Sequence, residues 1–390
     1  MLLVEPYFGG SHRAWALGLQ AHSSHEVLLV THEAAFWRWR QQGSSLTLAR
    51  QVEAMVAEHG RPDVLLVSTM VDLPALLGFT RRSLGEVPVV HDVHENQLTY
   101  PLGERQRPDV AAAITGWLGL AAADHVVFHS DFHRRELLSA LPGFLHSFPD
   151  HRHEAELDAV EARSSVVPLG IETSRFDGRI EHPGPPIVLW NHRWEHDKDP
   201  EALFDALDVL AAREVPFRLA LAGERTPTVP AAFAAARERF ADRLVAFGDV
   251  DDDAYPDLLR RSDVVVSTAT HEFFGLAVCE AMAAGACPVL PDRLSYPELL
   301  GGDRRRDQPL GAECLYEGSD DLVARLQRAL TDEGHRRRLG ERAKAEMARF
   351  DWEVVAPQND ALLQEVVAPR GMDIICNAVG TREVLGEIES

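Results

Sequence analysis

At 390 residues the chain is too long for one ordinary core and suits two domains. Hydrophobic residues make up 45% of it, enough for sizeable cores, yet no run of about 18 apolar residues occurs, which excludes a membrane-spanning helix of the usual length. The formal net charge of -22 weighs against a nucleic-acid partner, because phosphate binding favours a basic surface, and suits an enzyme with solvated acidic faces. The first residues, Met1 to Pro6, have no basic region or small-residue cleavage site and read as a core strand, not a signal peptide. Further strands are expected at 26–30, 63–67, 87–93, 124–128 and 165–168, then at 186–190, 218–222, 244–247, 264–268, 287–290 and 313–316. Helical patterns fall between them at 46–58, 109–122, 200–213, 255–262, 276–284 and 320–332. The polar, His-rich stretch 146–163 reads as a surface helix with loops.

Alternating apolar strands and helices imply parallel sheets covered on both faces. The alternation pauses at 178–186, which is rich in Pro and Gly and reads as a linker. The expected architecture is therefore α/β: two Rossmann-like, doubly wound domains, 1–177 and 178–351, facing each other across a cleft at their strand C-termini. A helix near 352–368 is expected to pack back on the first domain, leaving a tail, 369–390, with a short apolar strand at 373–379. Cys279, Cys287, Cys314 and Cys376 lack CxxC spacing and read as reduced residues of a cytoplasmic protein.

The strongest chemical signal lies in the second domain. Glu272 sits in a loop after an apolar strand, and Glu280 follows eight residues later on a helix that Gly285 ends. Carboxylates accept hydrogen bonds from neighbouring hydroxyls and so suit sugar and ribose diols. The helix start at Phe274-Gly275-Leu276 offers free amides to a pyrophosphate. Upstream, Arg193 and Lys198 stand five apart in a loop between a strand and Pro200, where two cations match a pyrophosphate's charge. Glu224 and Gly248 follow two further strands toward the same edge. The acidic run 249–253 is read as N-capping the next helix, and no metal-ligand set is recognised.

In the first domain, Gly9, Gly10, Ser11 and His12 follow the first strand, where paired glycines let the backbone approach a ligand. A second polar cluster, His91 to Gln97, ends the strand at 87–93. His94, Glu95, Asn96 and Gln97 are placed in the cleft, with His94 preferred over His91; Ser130 and His133 are weaker cleft candidates. Trp37, Arg38, Trp39 and Arg40 alternate aromatic and guanidinium planes, which suits stacking on unstacked bases and equally suits a helix face with two packed Trp residues. Short basic clusters at 38–40, 81–82, 134–135 and 304–306 offer a local basic track on the acidic body.

Glu272 and Glu280 resemble the E-x7-E signature of retaining glycosyltransferases of family 4, and Arg193 and Lys198 resemble that family's donor-phosphate pair. Narrower matches are the stretches 5–12, 36–40, 94–101, 190–198 and 293–298. Together they resemble the tRNA-queuosine α-mannosyltransferase family over about residues 1–367. The resemblance implies a GT-B fold, GDP-mannose as donor, retention of configuration, no bound metal or cofactor, and queuosine at the wobble position of tRNA-Asp as acceptor. It implies that His94 touches the donor sugar, Glu272 holds the sugar, Glu280 the ribose, and Arg193 and Lys198 the pyrophosphate. It places the loop at Gly248 against the nucleotide base, and donor and acceptor together at the first glycine loop. The acidic charge keeps a second reading open, a small-molecule or lipid acceptor for the same enzyme class.

Overall fold

The computed structural model describes residues 1–101, 107–224, 231–302 and 309–368. The expected strand at 373–379, Cys376 and the basic cluster at 304–306 lie outside the described residues. Twelve strands stand near the expected positions among those described. They are β1 (Leu2–Phe8), β2 (Leu28–Glu33), β3 (Leu65–Ser68), β4 (Val89–Val93), β5 (His125–Phe128) and β6 (Ser164–Val166). The second set is β7 (Ile187–Trp190), β8 (Arg218–Ala222), β9 (Leu244–Gly248), β10 (Val264–Val266), β11 (Cys287–Pro291) and β12 (Leu315–Tyr316).

The strands form two six-stranded sheets, ordered β2-β1-β3-β4-β5-β6 and β12-β11-β10-β7-β8-β9. The pairings are parallel. Helices cover both faces, so central strands such as Val264–Val266 are apolar on every residue and fully buried. Each order reverses once, between β1 and β3 in the first sheet and between β7 and β10 in the second. Strand-end loops diverge at such a reversal and open a crevice. This geometry decides where chemistry can be placed.

Alternation along the strands sorts the first sheet into two faces. Leu3, Leu66, Val90 and Val127 pack toward Trp15, Ala16 and Leu19 of helix Gly10–His22. Leu2, Leu65, Val89 and Val126 pack on the other side, with Leu48, Leu76, Trp117 and Leu137. The final helix, Trp352–Val367, crosses back to the first half: Asp360 accepts from Ser23 Oγ at 2.6 Å and from Ser24 N at 2.8 Å. Its Trp352 stacks on His22. A Cβ at Gly18 or Gly170 would stand 2.3 Å from the Trp352 ring, so both glycines are needed for that approach.

Local signals explain several helix starts. Asp72, Asp109, Ser130 and Asp199 each accept from a backbone amide three residues on. The acidic run 249–253 behaves differently from its expectation. Helix Tyr255–Arg261 has Ala254 at its N-cap and no side-chain cap; the Asp251 carbonyl takes the Ala254 and Tyr255 amides instead. The turn is tight enough for the backbone to cap itself. Residues 178–186 are tethered to the second sheet, with Ile180 N donating to Arg260 O at 3.0 Å and His182 Nε2 2.8 Å from Asp263 Oδ2.

Candidate active site

In the first sheet, a polar row replaces the apolar pattern at the C-terminal strand ends. Glu5 on β1, Ser68 on β3, Asp92 on β4 and His129 after β5 continue the face of Leu3, Leu66, Val90 and Val127. All four are buried. Glu5 accepts from Tyr7 N at 2.7 Å and Ser68 Oγ at 2.6 Å, and pairs with His12 Nδ1 at 3.1 Å. Burial alone would raise the Glu5 carboxyl, but His12 holds it below the usual range. Burial works against a charge on His12 too, and Glu5 overrides it and raises the imidazole.

Asp92 forms the second pair, 2.7 Å from His129 Nε2. His129 Nδ1 meets Val167 O at 2.9 Å, which fixes the ring. His94 Nε2 lies 3.1 Å from Asp92 Oδ1 but off line, and makes no hydrogen bond. His94 stacks on His12 at 4.4 Å and meets the edge of Trp15 at 4.5 Å. Burial, then repulsion from His12 and His129, pushes His94 down to about 4, so it is neutral at pH 7 and both donates and accepts. His91, one step out of phase, turns to the opposite face and meets Val67 O at 2.9 Å.

The atoms of Glu5, His12 and His94, and of Asp92, His94 and His129, lie close enough for metal-type trios. In each trio a carboxylate is already hydrogen-bonded to an imidazole, so the pairs satisfy each other as proton-sharing partners.

In the second sheet, the loops after β7 and β10 meet at the reversal point. The first carries Arg193 and Lys198, the second Glu272. Lys198 is buried, with Nζ 2.6 Å from His271 O, 3.2 Å from Asp197 Oδ2 and 3.5 Å from Glu272 Oε2. Burial would raise Glu272, yet Lys198, with His192 and His271, lowers it. The Arg193 side chain is 49% exposed and stands 3.6 Å from Glu195. His192 and His271 are both pushed down to about 4, first by burial and next by Lys198. Gly275, at φ +99°, ends the loop and opens helix Leu276–Ala283 without a side-chain cap, so its first amides face outward unclaimed by a cap. Phe274 is buried against Phe350, and Leu276 is half-buried.

Glu280 lies one helical face along. Tyr255 donates to its Oε2 at 3.0 Å, and Asn191 Nδ2 stands 3.1 Å from that hydroxyl. Burial pushes Glu280 up to about 7. Gly223 amide donates to Gly248 O at 3.1 Å, while exposed Glu224 uses its carbonyl to accept from Trp194 N.

Other expected residues divide. Gly9 is needed because a Cβ there would stand 2.4 Å from the Ala34 Cβ; Gly10 has φ +51°, and Ser11 is exposed at the helix start. Asn96, expected on the acceptor side, ties its own loop to His133: Oδ1 accepts from Leu98 N and Thr99 N, and Nδ2 is 3.0 Å from His133 Nε2. Glu95 and Gln97 are half-buried beside it. Helix Trp37–Gly43 carries the Trp-Arg motif. Trp39 is 64% exposed, Trp37 is half-buried under the Arg38 guanidinium at 4.5 Å, and Arg40 Nε donates to Glu33 O. Arg38 Nε also meets Asp109 at 3.1 Å.

The two halves touch directly below the clusters. Ser130 Oγ donates to Phe273 O at 2.5 Å, and His133 stacks on Phe273 at 3.7 Å. The Tyr100 ring packs against His271, tilted by 55° with centroids 4.4 Å apart. Glu298 accepts the amides of Asp131 at 3.0 Å and Phe132 at 2.6 Å, capping helix Asp131–His146 from the other half. Its role was not visible in the sequence, where it is one more glutamate on a short helix.

Comparison with known proteins agrees with this geometry. Residues 1–171 match the model of the tRNA-queuosine alpha-mannosyltransferase N-terminal family, and residues 172–346 match glycosyl transferases group 1. A Drosophila melanogaster tRNA-queuosine alpha-mannosyltransferase is 33% identical over 84% of this chain and 85% of its own length. A GDP-mannose-dependent alpha-(1-6)-phosphatidylinositol dimannoside mannosyltransferase of Mycobacterium tuberculosis is 30% identical over 52% of each chain. Among solved structures, sucrose-phosphate synthase from Thermosynechococcus elongatus superposes with a TM-score of 0.70 at 18% identity, covering 94% of this chain and 99% of its own. That likeness concerns the fold, which is GT-B.

Proposed function

Because the chain belongs to the tRNA-queuosine alpha-mannosyltransferase family, we propose that it moves mannose from GDP-mannose to queuosine at the wobble position of tRNA-Asp, with retention and without a bound metal. The observation that carries the reading is the pair of facing clusters: neutral His94 above one strand-end crevice, and Lys198 with Glu272 in the other, joined through Ser130 and Phe273. The guanosine donor is supported by the GDP-mannose-dependent mycobacterial relative.

In this reading Glu280 takes the ribose hydroxyls on the oxygen that Tyr255 leaves free. Arg193, Lys198 and the uncapped amides after Gly275 meet the pyrophosphate. Glu272 orients the mannose, and His94, held in a buried nest of rings, hydrogen-bonds it from the other half. The acceptor oxygen forms its bond to the anomeric carbon on the face where the phosphate oxygen departs. The breaking bond's electron pair goes to GDP, and the hydroxyl proton passes to a phosphate oxygen. Excluding water between the halves limits donor hydrolysis. Exposed Trp39, with Arg38 and Arg40, offers stacking and phosphate contacts to an anticodon loop despite the acidic body.

The test is mannose transfer to tRNA-Asp with and without queuosine, each before and after dialysis against a chelator. Transfer confined to the modified tRNA, unchanged by chelation, is expected. Transfer to unmodified tRNA, or to small acceptors alone, would remove the queuosine assignment; loss on chelation would remove the metal-free one.

A further inference from the structure

The first half holds a second concavity, on the sheet face opposite Asp92. A partly enclosed cavity of about 530 Å³, its open mouth included, lies between the ends of β3 and β4 and helix Val110–Ala122. Its walls are apolar, formed by Val93, Trp117, Leu120 and Leu137 among others. Its polar lining is His91, Asn96 and Gln97 and, beside them, three more side chains: Gln41, Thr69 and Glu95.

These three share an unusual state. Gln41 is 6% exposed; its Nε2 donates to Ala112 O at 3.1 Å, which leaves Oε1 as the free end. Gln41 Oε1, Thr69 Oγ1 and Glu95 Oε1 are buried without a hydrogen-bond partner among the described residues. Buried polar atoms are normally satisfied, so three in one cavity call for a missing partner. All three can accept; Gln41 Oε1 cannot donate, the Thr69 hydroxyl can, and Glu95 donates only when protonated, the form its burial favours. The matching ligand is flat, to lie between apolar walls, and rich in N–H donors along one edge. The Watson–Crick edge of a guanine-like ring has these donors at N1 and at its exocyclic amine.

Glu95 also connects the cavity to the cleft, because its carboxyl feels His12, Arg193 and Glu195. Gln41 belongs to the same two-turn helix as Trp37, Arg38, Trp39 and Arg40. One rim thus borders the donor machinery and the other borders the exposed aromatic and basic helix. Queuosine is a 7-deazaguanine with a hydroxyl-bearing side arm.

We propose that this cavity is the seat of the acceptor's 7-deazaguanine ring, read along its donor edge by Gln41, Thr69 and Glu95. The assignment rests on the queuosine reading above and deepens it. A base held this deep must leave the anticodon stack, which the single-stranded loop permits.

Gly116 supplies the probe. It lines the cavity from within a helix, and a Cβ there meets nothing within 4 Å. Gly116→Leu therefore has room for its Cβ and directs its remaining carbons into the space a ligand would take. Calorimetry on the full chain with free queuine as ligand, together with transfer kinetics on queuosine tRNA, reads the effect. Gly116→Leu and Gln41→Leu are each expected to weaken queuine binding and raise the tRNA KM by at least tenfold, with GDP affinity and melting temperature kept. Unchanged queuine binding and KM in both variants, or no queuine binding to the wild type, would overturn the assignment. Wild-type transfer with unaffected variants would sink the cavity alone. Queuine binding that depends on Gly116, in a wild type that transfers nothing to queuosine tRNA, would sink the reaction and keep the seat.

Discussion

The two strand-end crevices are built on opposite electrostatic plans. In the first half, Glu5 and Asp92 are buried and each is hydrogen-bonded to an imidazole, so charge is matched inside the protein. In the second half, Lys198 meets Glu272 only at 3.5 Å, Arg193 is half exposed, and the side-chain nitrogens His192 Nε2 and His271 Nε2 have no partner. The first half also leaves Asp92 Oδ2 and His94 Nε2 without a hydrogen-bond partner among the described residues, but each of its two carboxylates holds an imidazole, and the group they frame, His94, is neutral. A loop pair that leaves cations and acceptors incomplete gains most from a charged ligand. The difference suits a donor bound chiefly by the second half and positioned by the first, and each half can be disturbed separately.

The largest effect is expected from Lys198→Ala. Lys198 is a buried cation in contact with both Asp197 and Glu272, so its loss removes the proposed donor-phosphate contact and also leaves two carboxylates without this counter-charge. Removing one preorganised stabilising group typically costs about 100- to 1000-fold in kcat. Breaking a buried pair costs about 3–5 kcal/mol of stability. We predict losses of that order in transfer rate, with a lower melting temperature that GDP-mannose no longer corrects. His94→Gln should lower kcat while leaving the melting temperature nearly unchanged, since Asp92 keeps His129. Equal destabilisation by both variants would erase the contrast between the halves.

A pH dependence sharpens the comparison next. Burial raises the Glu280 carboxyl to about 7 from an ordinary value of 4.5. A folded value above the unfolded one means that stability from this group is fully present below about 4.5 and is lost as pH rises through 7. Ribose hydroxyls donate to the ionised form, so nucleotide binding should draw the proton off. GDP affinity is expected to rise with pH up to about 7 and then level, being weaker at pH 6 than at pH 8 by roughly tenfold. Calorimetry across that range with Glu280→Gln gives the control: the variant should bind weakly with the Glu280 contribution gone. An unaltered pH profile in the variant would show that another group titrates.

The residues expected to hold the donor stand out in the sequence because Arg193, Lys198 and Glu272 sit in loops, and Glu280 on the helix that follows, at fixed spacing between apolar elements. The strands were legible for the same reason, since β-branched runs such as 264–266 have few other uses. The first half's polar row was harder to see. Ser68, Asp92 and His129 fall within or next to core strands, and only their phase with Leu66, Val90 and Val127 reveals that they share a face. Phase also separates His94 from His91, but which phase faces the cleft depends on the helix that covers it. The cavity beside Gln41 and the cap from Glu298 were invisible, because both join segments more than 50 residues apart and neither leaves a local pattern.

That long-range cap gives the smallest predicted effect and the most direct view of how the halves cooperate. Glu298 accepts two amides at the start of helix Asp131–His146, and Arg135 stands 3.4 Å from the same carboxylate. The helix N-terminus favours a negative charge, and a lost cap of this kind costs about 1 kcal/mol. Glu298→Gln keeps an acceptor oxygen and removes the charge, so the loss should be smaller still, with a melting shift of about 1–3 °C for a chain of this size. The contact spans both halves, so its weakening should also favour a more open cleft. Transfer should slow by a few-fold while GDP affinity stays the same, because the proposed GDP site is on the half that Glu298 belongs to. If transfer slows only in parallel with GDP affinity, Glu298 supports its own half and does not latch the two together.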